Sequence, residues 1–198
     1  MDGERRGEPE GRARFRTLRR AAFASRGFPA AERLITDAPG RRTAVLDHGT
    51  GPAVLLIHGG VGVTAEWAPI AGRLSGRVLV ADRPGFGLSD PRDVRVRGFR
   101  RASAEWVATL LDALELDRVD LVAGSMGGFV ATAFATAHPD RVRRLVLGDQ
   151  DRLLPPSAAQ ALARRMPDAE VTVVADAGHI PHLDHPEAVA AAIAEARR

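Results

Sequence analysis

Several residue types are missing from this chain of 198 residues, and each absence limits its chemistry. There is no cysteine, which excludes disulfides and a thiol nucleophile. Lysine and tyrosine are also absent, so the pI is high although the net charge is only +3. The longest apolar runs, such as AVLLI at 53–57, have only strand length and are too short to span a bilayer. The charged N-terminus lacks the apolar stretch of a signal peptide, so we expect a cytoplasmic protein.

Arginines concentrate near the N-terminus, in RARFRTLRR at residues 12–20. A basic run of this kind could be a nucleic-acid or membrane arm. Apolar side chains nevertheless recur within and after it at helical spacing, namely Phe15, Leu18, Ala22 and Phe23. We therefore expect an amphipathic helix from about Arg12 to Arg26 with a solvated basic face, and neither a nucleic acid nor a membrane as partner.

Apolar segments of strand length alternate with helical patterns through the rest of the chain. Strands are predicted at 32–37, 42–49, 53–57, 77–82, 119–124, 143–148 and 170–176, and helices at 65–74, 99–116, from the GSMGG turn to about 138, at 157–165 and from 186. This alternation predicts an α/β fold in one domain: a doubly wound, mostly parallel sheet of about seven strands with helices on both faces.

Two glycine-rich turns follow predicted strands, at the carboxyl edge where parallel sheets bind ligands. GSMGG at 124–128 has the pattern small-x-Ser-x-Gly, which would expose Ser125 in a sharp turn at a helix N-terminus. The plainer interpretation is an ordinary N-cap serine. HGGVG at 58–62 leaves backbone N–H groups open, so the N–H of Gly60 could join that of Met126 in an oxyanion hole. Val61 is the next candidate donor, and a plain turn is the alternative.

The remaining chemistry lies after the last two strands. DAGHIPHLDHPE places His179 just beyond a strand, where its imidazole could reach Ser125, whereas we expect His182 and His185 to be structural. An acid should lie between serine and histidine in the chain, and GDQD offers two carboxylates. We favour Asp151 over Asp149 as the acid that accepts a hydrogen bond from the histidine ring.

These motifs, together with DRPGFGLSD at 82–90, resemble those of α/β-hydrolase-fold enzymes, especially esterases and meta-cleavage-product hydrolases, from about residue 32 onward. The resemblance implies Ser125 as nucleophile, His179 as general base and Asp151 as acid, with Gly60 and Met126 as oxyanion donors. It implies no metal and no cofactor. Residues 1–30 would form an N-terminal tail and amphipathic helix, and 31–198 a minimal α/β-hydrolase domain.

One stretch departs from that family's pattern. In such relatives a helical cap domain and a further strand separate RVRRLVL from GDQD, which are fused here at 141–156. We therefore expect a cap-less core one strand short, in which the strand at 143–148 pairs directly with that at 170–175. The pocket would be open and shallow, with Val61 and a wall of loop residues: Phe86, Leu88, Met126 and Leu153. The N-terminal helix could cover it as a lid or pack on a partner chain, and the uncovered face could favour a homodimer.

The function that these residues favour is hydrolysis of carboxylic esters through an acyl-enzyme formed on Ser125. The same triad also supports C–C bond hydrolysis of a dienoic diketone or cofactor-free peroxidation. A third class remains open, in which the chain is a catalytically weak remnant that binds a small molecule or a partner.

Overall fold

The computed structural model describes residues 10–60, 63–92, 98–148, 164, 170–174 and 180–195. Seven strands form one sheet in the order β1-β2-β4-β3-β5-β6-β7. Their bounds are β1 Ala31–Thr36, β2 Arg42–His48, β3 Ala53–Ile57, β4 Arg77–Ala81, β5 Val119–Ala123, β6 Val142–Gly148 and β7 Glu170–Val174. β1 pairs antiparallel with β2, and β2 with β4, whereas the other four pairings are parallel. The predicted fold class, a mostly parallel sheet of about seven strands, is therefore confirmed.

The helices connect these strands on both sides of the sheet. They are α1 Glu10–Ala24, α2 Ala68–Ala71, α3 Phe99–Ala113, α4 Met126–Ala137, α5 Pro181–Asp184 and α6 Pro186–Glu195. A 3₁₀ turn at Thr64–Trp67 leads into α2, so the helix predicted at 65–74 is shorter and less regular than expected. The helix predicted at 157–165 lies outside the described residues, apart from residue 164. Within the described ranges, the structure has no helix that is long and apolar enough to cross a bilayer.

The pleat of the central strands sorts their side chains into two buried cores. In β3, Leu55 and Ile57 pack with α3 and α4 on one face of the sheet. Val54 and Leu56 point to the opposite face and pack against residues of α1, α2 and α6. Because successive strand residues face opposite sides, an uninterrupted apolar run buried on both faces is what a central parallel strand requires.

The N-terminal helix is anchored in the second of these cores and lies on the face opposite α3 and α4. Phe23 is 1% exposed and packs against Phe28, with ring centroids 5.5 Å apart. Arg19 is 2% exposed, and its guanidinium pairs with Asp82 at 2.5 Å and with Glu32 at 2.7 Å. Part of the basic run thus serves contacts within the chain, and the helix is an integral layer of the fold.

The described part of the fused stretch, residues 141–148, contains β6, which pairs directly with β7. β6 pairs in parallel with β7, from Arg144 opposite Glu170 to Gly148 opposite Val174, which confirms the pairing predicted from the missing segment. Arg144 reinforces it, because its guanidinium pairs with Glu170 at 3.1 Å and donates to the carbonyl of Ile193 at 2.8 Å. This buried arginine thereby ties β6, β7 and α6 together.

Candidate active site

Ser125 occupies the sharp turn between β5 and α4. The strand ends at Ala123 and the helix begins at Met126, so only Gly124 and Ser125 form the turn, and Ser125 has φ 56° and ψ −131°. A non-glycine residue with positive φ is strained by roughly 1–3 kcal/mol, and such strain concentrates at functional sites. The turn predicted from GSMGG is therefore present, with its serine in the conformation that a plain N-cap does not need.

The glycines around this turn allow the loop after β3 to approach it closely. A Cβ on Gly59 would lie 3.1 Å from Ser125 Cβ and 3.5 Å from its Oγ. A Cβ on Gly127 would lie 2.2 Å from the carbonyl oxygen of Ile57, which no side chain could tolerate. The small residues of both motifs thus bring the end of β3 against the N-terminus of α4.

The two predicted oxyanion donors border the same space. Met126 is the first residue of α4, so its N–H cannot bond within the helix. A Cβ built on Gly60 would lie 3.6 Å from Met126 Cβ, which places the two backbone segments side by side. The helix N-terminus also favours negative charge at this position.

The peptide that precedes Gly60 is held by buried side chains. Arg83 Nη2 donates to the carbonyl oxygen of Gly59 at 2.8 Å, and His58 Nδ1 lies 3.0 Å from the same oxygen. The N–H of Gly59 donates to Glu66 Oε1 at 3.1 Å. His58 Nε2 accepts from the backbone N–H of Arg83 at 3.0 Å, so a neutral ring carries its proton on Nδ1 and donates it to Gly59.

Burial and charge keep this histidine neutral. His58 is fully buried, and desolvation, followed by the nearby charge of Arg83, lowers its pKa below the ordinary value of 6.5. Arg83 is itself 5% exposed, and its guanidinium stacks over the ring of Phe86 with 4.5 Å between Cζ and the centroid. Desolvation lowers the pKa of Arg83, although the charge of Glu66 opposes this effect.

A cavity of about 590 Å³ opens at Ser125. Its described lining is largely apolar and comprises Gly60, Arg100, Ser125, Met126, Phe129, Thr132 and Ala133. Met126 and Phe129 expose 41% and 46% of their surface, which is unusual for apolar side chains of that size. Three of the predicted site residues, Ser125, Gly60 and Met126, therefore meet at one cavity.

Two predicted pocket residues are placed elsewhere by the structure. Leu88 is 1% exposed, with its backbone N–H on Asp82 at 3.0 Å, so its side chain belongs to the interior. Phe86 packs on Arg83 and on His58, whose ring lies 5.2 Å away, and it is not part of the described cavity lining. Both residues shape the loop after β4, whereas most of the described cavity lining comes from α3 and α4.

The other predicted site residues, Val61, Asp149, Asp151, Leu153 and His179, lie outside the described residues. His182 is described and is fully buried, with its ring stacked on Trp67 at 3.5 Å between centroids. It belongs to the packing between α5 and the 3₁₀ turn.

Sequence reasoning missed the cavity residues of α3 and α4. Phe129, Thr132 and Ala133 follow Ser125 at spacings of four, seven and eight residues, which places them on one face of a helix. Their pattern was available in the sequence once Ser125 was fixed as the start of α4. Arg100 carried no such signal, because its position depends on how α3 packs beside α4.

Comparisons with known proteins agree with this architecture. One family model, described as "alpha/beta hydrolase fold", matches residues 52–147, and another, described as "Alpha/beta hydrolase family", matches residues 134–192. A 2-hydroxy-6-oxo-2,4-heptadienoate hydrolase of Pseudomonas putida is 48% identical over 118 residues, which are 56% of this chain and 41% of that protein. A 2-hydroxymuconate semialdehyde hydrolase of a Pseudomonas species is 44% identical over 116 residues, which are 56% of this chain and 40% of that protein.

Solved structures extend the similarity beyond those segments. A thermophilic esterase from Thermogutta terrifontis, solved with malate bound, has a TM-score of 0.68 and 25% identity, and the alignment covers 85% of this chain and 98% of that one. The chain spans about two fifths of the length of the curated relatives that it matches.

Proposed function

Because the chain belongs to the α/β-hydrolase family, we propose that it is a serine hydrolase that cleaves carboxylic esters through an acyl-enzyme on Ser125. The observation that carries this proposal is the strained backbone of Ser125 at the β5–α4 turn, beside a cavity that Gly60 and Met126 share. Strain of this kind persists only where the surrounding structure maintains it, and here it presents a hydroxyl to an open, largely apolar space.

In the proposed mechanism, Ser125 Oγ attacks the acyl carbon while His179 accepts the hydroxyl proton. Asp151 fixes the histidine tautomer and stabilises the imidazolium, with Asp149 as the alternative acid. The N–H groups of Gly60 and Met126 donate to the oxygen that becomes negative, with Val61 as the alternative to Gly60. Collapse of the tetrahedral intermediate expels the alcohol with the proton from His179, and water then releases the acid by the same steps.

C–C bond hydrolysis is the second candidate, and the curated relatives favour it. Their names describe hydrolysis of 2-hydroxy-6-oxo-dienoates and a muconate semialdehyde, and they share up to 48% identity with this chain over the matched segment. The same serine would attack a ketone carbonyl, and the leaving group would be a carbon that must be protonated. Arg100 in the cavity lining is a cation that such a carboxylate-bearing substrate could meet.

Turnover of two substrate classes by two variants tests these proposals. The first is a series of p-nitrophenyl esters from acetate to decanoate, and the second is a 2-hydroxy-6-oxo-dienoate whose loss is followed by absorbance. Ser125→Ala should lower ester turnover by about 10³-fold or more, because the acyl-enzyme can no longer form. Ser25→Ala, which changes an exposed serine at the end of α1, is the control and should retain full activity.

The outcomes separate the two candidates. Turnover of the esters that depends on Ser125, with no turnover of the dienoate, supports the esterase. Turnover of the dienoate that depends on Ser125, with no turnover of the esters, supports the C–C hydrolase. Equal turnover by wild type and Ser125→Ala would refute both candidates, because each requires that hydroxyl.

A further inference from the structure

We propose that Arg83 is a positioning residue that aims the N–H of Gly60 at the developing oxyanion and strengthens it as a donor. This inference rests on the proposed serine hydrolysis and deepens it, because it assigns a task to a buried arginine that the catalytic steps do not use. It concerns the peptide group that joins Gly59 to Gly60, in the loop after β3.

The direction of the Gly60 N–H follows from what holds the carbonyl of Gly59. In a trans peptide, the carbonyl oxygen of one residue and the N–H of the next point in opposite directions. Arg83 Nη2 at 2.8 Å and His58 Nδ1 at 3.0 Å both bind the Gly59 oxygen from the buried side. The Gly60 N–H must therefore point away from them, toward the cavity that Gly60 and Ser125 line.

The preceding peptide is fixed as well. The N–H of Gly59 donates to Glu66 Oε1 at 3.1 Å, so both peptide groups that flank the Gly59 Cα are anchored. Glycine is the residue whose backbone rotates most freely, and the close approach to Ser125 favours glycine here, because a Cβ would lie 3.1 Å from Ser125 Cβ. The hydrogen bonds with Arg83, His58 and Glu66 therefore hold this flexible position in one conformation.

The charge of Arg83 adds to the geometry. A hydrogen bond from a guanidinium is charge-assisted, and a carbonyl that accepts it polarises its whole amide, which makes the attached N–H a stronger donor. Among the described residues, no carboxylate lies within ion-pair distance of Arg83, and its contacts are a carbonyl and the ring of Phe86. Its positive charge thus stands behind the Gly60 amide without a contacting carboxylate, although the charge of Glu66 acts on it from farther away.

Burying a cation without a paired acid costs stability, so its position calls for a compensating benefit. Arg92 offers a comparison in the same loop region, because its side chain is 8% exposed and it is paired with Asp37. Arg92 is an arginine stabilised by a carboxylate, whereas Arg83 is directed at the peptide next to the nucleophile. If Arg83 served only to stabilise the fold, we would expect its guanidinium to be paired with a carboxylate, as that of Arg92 is.

Graded substitutions of Arg83 separate positioning from folding. Arg83→Met removes both the hydrogen bond and the charge, Arg83→Gln keeps a donor without charge, and Arg83→Lys keeps a charged donor. For Arg83→Met we expect kcat on a p-nitrophenyl ester to fall about 10- to 100-fold, with KM within about twofold, because a misaimed donor weakens binding of the transition state more than of the substrate. Gln should be intermediate, and Lys should recover most of the loss, since a single donor to Gly59 suffices.

Arg92→Met is the matched control, because it removes an arginine of similar burial outside the site. It should lower the thermal midpoint without changing kcat. A fall in kcat that is equal in Arg83→Met and Arg92→Met, or a loss that appears in KM alone, would overturn the positioning role. If Arg83→Met does not fold, the order of Lys above Gln in kcat carries the same test.

A spectroscopic measurement distinguishes failure of this inference from failure of the proposed function. In protein labelled with ¹⁵N-glycine, the Gly60 amide is identified by its loss in Gly60→Ala. Arg83→Met should move this resonance and Arg92→Met should not; an unmoved resonance refutes the positioning role, whatever the turnover. If it moves but the wild type shows no Ser125-dependent turnover, the positioning role is supported and the ester function is refuted.

Discussion

Breaking the buried ion pair between Arg19 of α1 and Asp82, in the loop after β4, should lower the stability of the protein by a large and measurable amount. Asp82 is fully buried, and its carboxylate accepts from Arg19 Nη1 at 2.5 Å, from Thr64 Oγ1 at 2.9 Å and from the N–H of Leu88 at 3.0 Å. Replacement of Arg19 by Met keeps most of the apolar stem but leaves this carboxylate buried without its cation.

The expected magnitude follows from that stranded charge. Removing one partner of a buried pair typically costs about 3–5 kcal/mol, because the remaining charge has lost both its solvent and its counterion. Glu32 contributes less to the loss, since it keeps its contact with Arg16 at 2.5 Å. For a chain of this size, the same cost corresponds to a fall of roughly 6–20 °C in the thermal midpoint.

Urea unfolding of four proteins measures this energy. They are the wild type, Arg19→Met, Asp82→Asn and the double variant, and Arg20→Met serves as an exposed control on the same helix. The double variant should be more stable than the sum of the single changes predicts, by about 2–3 kcal/mol, because it leaves no unpaired charge. Asparagine has one acceptor oxygen where aspartate has two, and this loss is common to both variants that carry Asp82→Asn, so its cost cancels in the cycle.

Two results would refute the reasoning. Strict additivity of the two changes would mean that Arg19 and Asp82 do not stabilise each other. A cost for Arg19→Met within about 0.5 kcal/mol of that for Arg20→Met would mean that α1 is a detachable surface element.

Two further predictions concern the loop after β3 and the nucleophile turn. The fold lowers the pKa of His58, so just below pH 6.5 the unfolded chain takes up a proton at this residue and the folded protein does not. Proton uptake favours the unfolded state, so the contribution of a neutral His58 to the stability of the fold is present above pH 6.5 and is lost as pH falls toward the folded pKa. The free energy of unfolding from urea titrations should therefore decline by up to about 1.4 kcal/mol per pH unit, and His58→Gln should flatten that slope; an unchanged slope would contradict it. Gly127→Ala should destabilise the protein and lower kcat, because its Cβ would lie 2.2 Å from the Ile57 oxygen, whereas Gly98→Ala, with no atom within 4 Å, should do neither; equal thermal midpoints for the two would contradict the close approach.

Periodicity was sufficient to predict the sheet because its central strands are buried on both faces. The strand at 53–57 is apolar at every position, and only a central strand covered by helices can bury such a run. The direct pairing of β6 with β7 was predictable for a related reason. Because the sequence predicts no further strand between them, we expected the two to be neighbours, as they are.

The cavity was less predictable, since its wall depends on packing between elements far apart in the chain. Arg100 and Phe129 meet only because α3 and α4 lie side by side, with Phe99 and Phe129 rings 5.5 Å apart. Leu88 was expected in the pocket on the strength of its motif, yet its N–H is bound by the buried Asp82 carboxylate and its side chain is 1% exposed. Local patterns predict which residues are exposed at a turn, whereas the direction of each side chain depends on tertiary partners.

The direct pairing of β6 with β7 also bears on whether the proposed triad can form. Ser125 follows β5, Asp149 and Asp151 follow β6 in the sequence, and His179 follows β7, and these three strands are parallel neighbours. Parallel strands end at the same edge, about 4.8 Å apart, so the proposed nucleophile, acid and base leave three successive positions of one edge. The two residues between Gly148 and Asp151 can span about 7 Å or more, which exceeds one strand spacing. In the proposed mechanism, Asp151 would therefore be within reach of a histidine positioned over Ser125, and Asp151→Asn should lower kcat far more than Asp149→Asn if Asp151 is that acid.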